Sequence, residues 1–190
     1  QVSCATPAGW RAFSTVLAAM PPEAAREWLR ERWRNEPRFL VAGAGLTGMP
    51  DYLPWLLRQA EKPDLARLAG EAVSLITGID LYMTDLSVIA PPPDGGELAD
   101  EEEDTPTPEP GTADAWFAEW ERDLPVPDPA RLRTRLADHG PDLANGRRCL
   151  MGRPVDSGWL AELDQAAPQR IRRFAALLAG LAAPDQPLAN

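Results

Sequence analysis

Asp64-Leu-Ala-Arg-Leu-Ala-Gly-Glu-Ala-Val-Ser-Leu-Ile-Thr77 decides the fold. Leu65, Leu68, Ala69, Ala72, Val73 and Ile76 recur at i, i+3, i+4, i+7, so one side of an α-helix collects all of them and must be buried. Gly78 supplies the stop, because glycine enters the left-handed cap conformation at no steric cost.

Working outward, 50–61 repeats the pattern with Leu53, Leu56, Leu57 and Ala60, and Pro50 fits a first helical position, where its missing N–H costs nothing. Segment 169–182 does the same with Ile171, Phe174, Ala175, Leu178 and Leu181, with Arg170, Arg172 and Arg173 in its first half. Shorter stripes lie at 9–20 (Trp10, Phe13, Leu17), 22–34 (Ala25, Trp28, Leu29, Trp33), 36–47 (Phe39, Ala42, Gly43, Leu46), 129–138 and 157–166. The breaks are short: Pro21-Pro22, Glu36-Pro37, Gly48-Met49-Pro50, Lys62-Pro63 and Ala167-Pro168. Short connections predict antiparallel helical neighbours, hence an all-α fold of stacked hairpins. No segment alternates with period two over a convincing length, and 147–155 alone reads as extended.

Self-similarity strengthens the array. Arg38-Phe-Leu-Val-Ala-Gly-Ala-Gly-Leu46 and Arg173-Phe-Ala-Ala-Leu-Leu-Ala-Gly-Leu181 share Arg, Phe, Ala, Gly and Leu in register, and Arg67-Leu-Ala-Gly-Glu-Ala-Val-Ser-Leu75 keeps the Arg and the final Leu. Each copy reads as the first helix of a hairpin that buries its face only by stacking on the next, the logic of a short α-solenoid.

Of the 29 acids and 19 bases, twelve acids and Arg122 alone fall in 91–125, leaving seventeen acids against eighteen bases elsewhere. The net charge of −10 therefore belongs to one insertion, not to the helical body. The expected organisation is helical hairpins over 1–84, an acidic proline-rich insertion over 85–128 that is partly disordered because its centre has little to bury and repels itself, and helices over 129–190 that complete the array. A chain with no basic stripe is repelled by phosphate backbones and anionic lipid, which argues against nucleic-acid and membrane-surface binding.

Two cysteines, Cys4 and Cys149, and a single His139 indicate neither a disulfide framework nor a structural zinc site, and a reduced cytoplasmic setting follows. No apolar run reaches bilayer length. The start, Gln1-Val-Ser-Cys4, has no Met and no signal-peptide core, which points to a trimmed or partial chain.

Several residues invite a chemical reading. Gly43-Ala-Gly-Leu-Thr-Gly48 spells the glycine fingerprint of a dinucleotide site behind an apolar run. Such a site needs a strand before it and another leading to an acid about twenty residues on; the region that should hold it, 64–77, is helical by pattern, so packing of small residues between helices is the competing account. His139 with Cys4 or Cys149 offers a nucleophile and base in principle; a His before Gly140-Pro141 equally suits a helix C-terminus. Glu71 reads as a helix-surface pair with Arg67, and Asp80 as a turn residue. The run Asp100–Asp104 lacks the alternating ligand spacing and glycine of a calcium loop. Its Glu101, Glu102 and Glu103 read as solvated charge or as a docking strip for a basic protein. Trp116, Phe117 and Trp120 have helical spacing and either anchor the insertion to the body or form an aromatic partner-binding surface. Arg170, Arg172 and Arg173, with Arg147, Arg148 and Arg153, read as partners for the chain's own acids, with an anion or partner-carboxylate site as the alternative. No catalytic, metal-binding or cofactor-binding residue is assigned.

Pro37-Arg-Phe-Leu-Val-Ala-Gly-Ala-Gly-Leu-Thr-Gly-Met-Pro-Asp-Tyr-Leu-Pro-Trp-Leu-Leu57 resembles a HEAT repeat: an Ala/Gly/Leu helix, a Gly-x-Pro turn, and a second helix of the Leu-Pro-x-Leu-Leu type. It differs at Met49, where such turns carry an Asp cap. Together with 66–81, Leu124-Pro-Val-Pro-Asp-Pro129, Gly146-Arg-Arg-Cys-Leu-Met-Gly-Arg-Pro154 and Gln169-Arg-Ile-Arg-Arg-Phe174, the order of blocks over roughly residues 28–188 resembles a bacterial family of HEAT-like proteins of unknown function. Genes of that family lie near type VI secretion clusters. The resemblance implies an adaptor, accessory or effector-associated role and carries over no catalytic residue.

The function expected from all this is a non-enzymatic scaffold for a protein partner, with no cofactor. The alternatives are an immunity-type inhibitor that plugs a basic effector with the acidic insertion, or a nucleotide-binding enzyme that uses Gly43–Gly48.

Overall fold

The computed structural model describes residues 6–88, 112–138, 143 and 146–182, and these are mostly helical. Among them are nine α-helices: α1 (Pro7–Ala19), α2 (Pro22–Arg32), α3 (Pro37–Thr47), α4 (Leu53–Gln59), α5 (Pro63–Thr77), α6 (Ala113–Glu121), α7 (Pro129–Ala137), α8 (Ser157–Ala166) and α9 (Gln169–Ala182). Four two-residue strands form two small antiparallel ladders, β1 (Ser87–Val88) with β2 (Val126–Pro127) and β3 (Cys149–Leu150) with β4 (Arg153–Pro154). The second ladder is the 147–155 stretch that reads as extended. Met151 and Gly152 turn it with φ of 51° and 83°, the positive pair that suits the right-handed twist of a tight hairpin.

Helix starts follow from local chemistry. Pro22, Pro37 and Pro63 open their helices where no N–H is needed. Thr6, Thr112, Asp128 and Asp156 accept hydrogen bonds from first-turn amides. The helix expected over 50–61 is divided: Pro50–Tyr52 is a 3-10 turn and α4 begins only at Leu53, with Pro54 at its start.

Two helix ends share one design. Thr47 Oγ1 donates to the Ala44 carbonyl and accepts from the Met49 amide, while Thr77 Oγ1 donates to the Val73 carbonyl and accepts from the Ile79 amide. Gly48 and Gly78 follow in the left-handed region, at φ of 66° and 71°. The segment 148–152 crosses both ends: the Cys149 amide donates to the Gly48 carbonyl, and the Met151 and Gly152 amides donate to the Leu75 and Ile76 carbonyls. A Cβ on Gly48 would meet the Cys149 oxygen at 2.3 Å, and one on Gly78 the Met151 oxygen at 2.7 Å, so both positions need glycine twice over, for backbone angle and for space.

Consecutive helices α2 and α3, α4 and α5, and α8 and α9 pack as neighbours, as short connections require. The most extensive contact, however, joins α3 to α5, and α9 returns to α1, pairings that connection length does not predict. Small residues make the first possible: Gly45 lies so close to α5 that a Cβ there would sit 2.8 Å from Ala72 Cα. The main core includes Phe13, Leu17, Leu29, Phe39, Leu68 and Ile76, and a second cluster of α8 and α9 packs around Leu160, Leu163, Ile171 and Leu178.

The 85–128 stretch is not wholly apart from the body. Its described ends are tied in: β1 pairs with β2, Phe117 on α6 is 0% exposed, Arg38 pairs with Glu121, and Arg67 donates to the Leu124 carbonyl. Residues 89–111, with Glu101, Glu102 and Glu103, lie outside the described residues, as do Cys4 and His139.

Candidate functional site

The glycine tract is inside a helix. Gly43 and Gly45 belong to α3, where a Cβ on Gly43 would meet Leu29 Cδ2 at 2.5 Å and one on Gly45 would meet α5. Their amides lie within the helix, and Gly48 caps its C-terminal end, so the tract presents no loop of amides at a helix N-terminus to cradle a pyrophosphate. Close packing of small residues is what the geometry contains. Among the described residues, no group of three side chains is placed to hold a metal ion.

Among the described residues, α1, α3, α5, α6 and α9 enclose a groove of about 700 Å³, twice the volume of a second hollow beside Arg38 and Asp64. Ala42, Leu46, Leu68, Ala72 and Leu75 of α3 and α5 form its floor. One wall is α1, through Trp10, Arg11, Ser14 and Thr15, and the facing wall is α9, through Arg170, Ile171, Arg173, Phe174 and Leu177. Trp116 and Trp120 of α6 close one side.

The aromatic side is rigidly built. The Trp116 and Trp120 rings are one helical turn apart and stack at 6.1 Å with 9° between planes. Trp10 leans on both, at 5.4 and 5.2 Å. Beneath them Phe117 is held by Phe39 at 4.9 Å and Trp116 at 5.0 Å. One hydrophobic stripe on α6 thus does two jobs: Phe117 anchors the helix in the core, and the half-buried Trp116 and Trp120 leave ring surface on the groove. Phe117 itself has no surface left for a partner.

The polar centre is Glu71, on α5 and 5% exposed. It does not pair with Arg67, four residues earlier, but with Arg170 of α9 at 3.0 Å. Arg170 lines the same groove as Glu71, whereas Arg67 is drawn off to the Leu124 carbonyl. Burial pushes the Glu71 carboxyl above its ordinary value, against the opposing pull of Arg170. Asp80 is the expected turn residue, accepting from the Tyr82 and Met83 amides at 3.0 Å.

Of the other arginines, Arg153 pairs with Glu162 at 3.0 Å and lies over the Trp159 ring. Arg148 meets no carboxylate among the described residues and instead donates to four backbone carbonyls. The Arg11 and Arg173 guanidiniums line the groove without a hydrogen-bond or ion-pair partner among the described residues.

Trp10 is the groove residue that periodicity conceals. The 9–20 stripe assigns it to the core with Phe13 and Leu17, yet it is half-buried while those two are buried. The signal is its flank: Arg11, Ser14 and Thr15 put polar side chains beside a large ring on an otherwise apolar helix.

No protein-family model, curated protein or solved structure matches this chain. Among the described residues, no helix is long and apolar enough to cross a membrane.

Proposed function

We propose that the chain is a non-enzymatic protein-binding scaffold, a short HEAT-like helical array that offers the groove between α1, α5, α6 and α9 to a protein partner. The observation that carries this reading is the lining: three half-buried tryptophans, with Leu75, Phe174 and Leu177, keep apolar surface in one concavity above a closely packed floor. Concentrated apolar and aromatic surface of this kind is the usual mark of a binding face. The resemblance of the 37–57 tract and its companion blocks to HEAT-like proteins encoded beside type VI secretion genes supports an accessory or adaptor role in that setting, in the cytoplasm. Repeat arrays suit such work, because stacked hairpins hold a concave surface rigid without a large core.

The test is photo-crosslinking with the full chain. A photoreactive residue replaces Thr15 in the groove, or Glu162 on α8 as a control, and lysate is irradiated. The expected result is a discrete protein adduct from position 15 only, lost when Leu177→Arg is added. Equal adducts from both positions, or saturable binding of ATP or NAD by the wild-type chain without any groove-dependent adduct, would overturn the reading.

A further inference from the structure

The groove has a length and a charge, and together they describe its occupant. Its floor runs from Leu68 to Leu75 along α5 and its α1 wall from Pro7 to Thr15. At 1.5 Å per residue these are about 10–12 Å, two turns of helix. Residues i, i+3, i+4 and i+7 of a bound helix span the same distance, which is how amphipathic helices seat in apolar grooves.

The charge is one-sided. Glu71 and Arg170 neutralise each other at 3.0 Å, and this leaves Arg11 on one wall and Arg173 on the other, both exposed and without a carboxylate among the described residues. Glu119 and Glu121, the acids of α6 nearest Trp120 in sequence, are engaged by Arg122 and Arg38. A cationic ligand would find two guanidiniums and no free acid at these walls; an anionic one would find a counter-charge on each side.

We propose that the partner inserts an amphipathic α-helix whose two-turn apolar stripe fills the groove and whose acidic residues, on either side of that stripe, pair with Arg11 and Arg173. The proposal rests on the groove being the protein-binding face. Trp116 and Trp120 then pack on the large apolar side chain at one end of the stripe. Arg173 lies one turn before Leu177 on α9, so a carboxylate reaching it sits beside the apolar contact and leaves that contact intact.

The experiment uses the full chain and labelled synthetic peptides of fourteen residues that share one leucine stripe. One carries Glu on both flanks, a second Lys, and a third is the Glu peptide with two internal prolines. Binding is read by fluorescence anisotropy. The acidic helical peptide is expected to bind saturably, at least about tenfold tighter than the basic one, and to weaken as salt rises. Arg11→Glu with Arg173→Glu should invert the order of the two peptides, with circular dichroism unchanged.

Equal or tighter binding of the basic or the proline-broken peptide overturns the proposal while leaving the groove a protein site. Tighter saturable binding of dodecanoate overturns it in favour of a lipid carboxylate. Binding that emerges only after Glu101→Gln, Glu102→Gln and Glu103→Gln gives the groove to the chain's own acidic run and overturns a partner in trans. Failure of every peptide, together with a Thr15 adduct that survives Leu177→Arg, counts against the groove itself.

Discussion

Arg148 Nη1 donates to the Ala18 carbonyl at 2.7 Å, so a side chain beside the C-terminal hairpin closes the end of the first helix. The same guanidinium donates from Nη2 to the Leu17 and Met20 carbonyls, both at 3.0 Å, and from Nε to the Thr47 carbonyl at 3.1 Å. The last carbonyls of a helix have no intrahelical donor. One planar fork supplies the ends of both α1 and α3, and it remains charged even though burial pulls its pKa below the ordinary arginine value.

Arg148→Lys is therefore not conservative. A single ammonium cannot reach four carbonyls spread over two helix ends in the geometry the fork provides. The expected loss is about 3 kcal/mol, the scale of one or two buried acceptors left unmet. In a chain of this size that lowers Tm by roughly 6–12 °C, measurable by calorimetry. A Tm within a degree of wild type would show that water serves these carbonyls as well as Arg148 does.

Glu71 carries a pH dependence whose sign follows from its burial. Because its folded pKa is raised above the ordinary 4.5, the native state binds the proton more tightly than the unfolded chain. Its contribution to stability is present below the ordinary carboxylate value and lost as pH rises through the raised one. Glu71→Gln removes that slope. Urea titrations across this window should show wild type losing stability relative to the variant as pH rises, with Gln equal or better at neutral pH. A variant that is weaker than wild type only at neutral pH would mean that the attraction of Arg170 outweighs desolvation.

Gly45 and Gly43 should respond differently to the same methyl. At Gly45 the obstacle is the Cα of Ala72, which can yield only if α5 moves, so overpacking of about 1–3 kcal/mol exceeds the helix-propensity gain of about 1 kcal/mol. At Gly43 the nearest atom is the tip of Leu29, a side chain that can turn aside. Gly45→Ala is expected to destabilise, and Gly43→Ala to lie close to neutral, in denaturant unfolding. The reverse order would place the tight helix crossing elsewhere.

Phe117→Ala empties the pocket that holds α6 against Phe39, at a cost of about 3–5 kcal/mol. Since Trp116 and Trp120 ride on the same helix, the fluorescence of folded protein should shift to the red as their rings gain water. An unshifted spectrum would mean that the Trp10 contacts hold α6 without the anchor.

How much of this was legible in the residues divides along a physical line. Stripes at helical spacing, prolines at helix starts, Thr and Asp caps and the two Thr-Gly ends are local properties, decided within a turn or two of backbone. Eight of the helices lie where periodicity places them, α6 at the spacing of Trp116, Phe117 and Trp120, and the 147–155 hairpin where the chain reads as extended. Periodicity states which face of a helix is buried. It does not state which helix covers that face.

That second choice belongs to the tertiary structure. α3 packs chiefly on α5, because Gly45 and Ala72 let two backbones approach, and α9 comes back to α1, so a groove opens between helices far apart in sequence. Glu71 takes Arg170 over Arg67 because Arg170 lines the same groove, while Arg67 is held by the Leu124 carbonyl. Local chemistry along the chain determined the helices, their ends and their apolar faces. The crossings alone decided which of those faces close into a core and which remain as an open, arginine-flanked groove, since a crossing depends on side chains that meet only after the chain has folded.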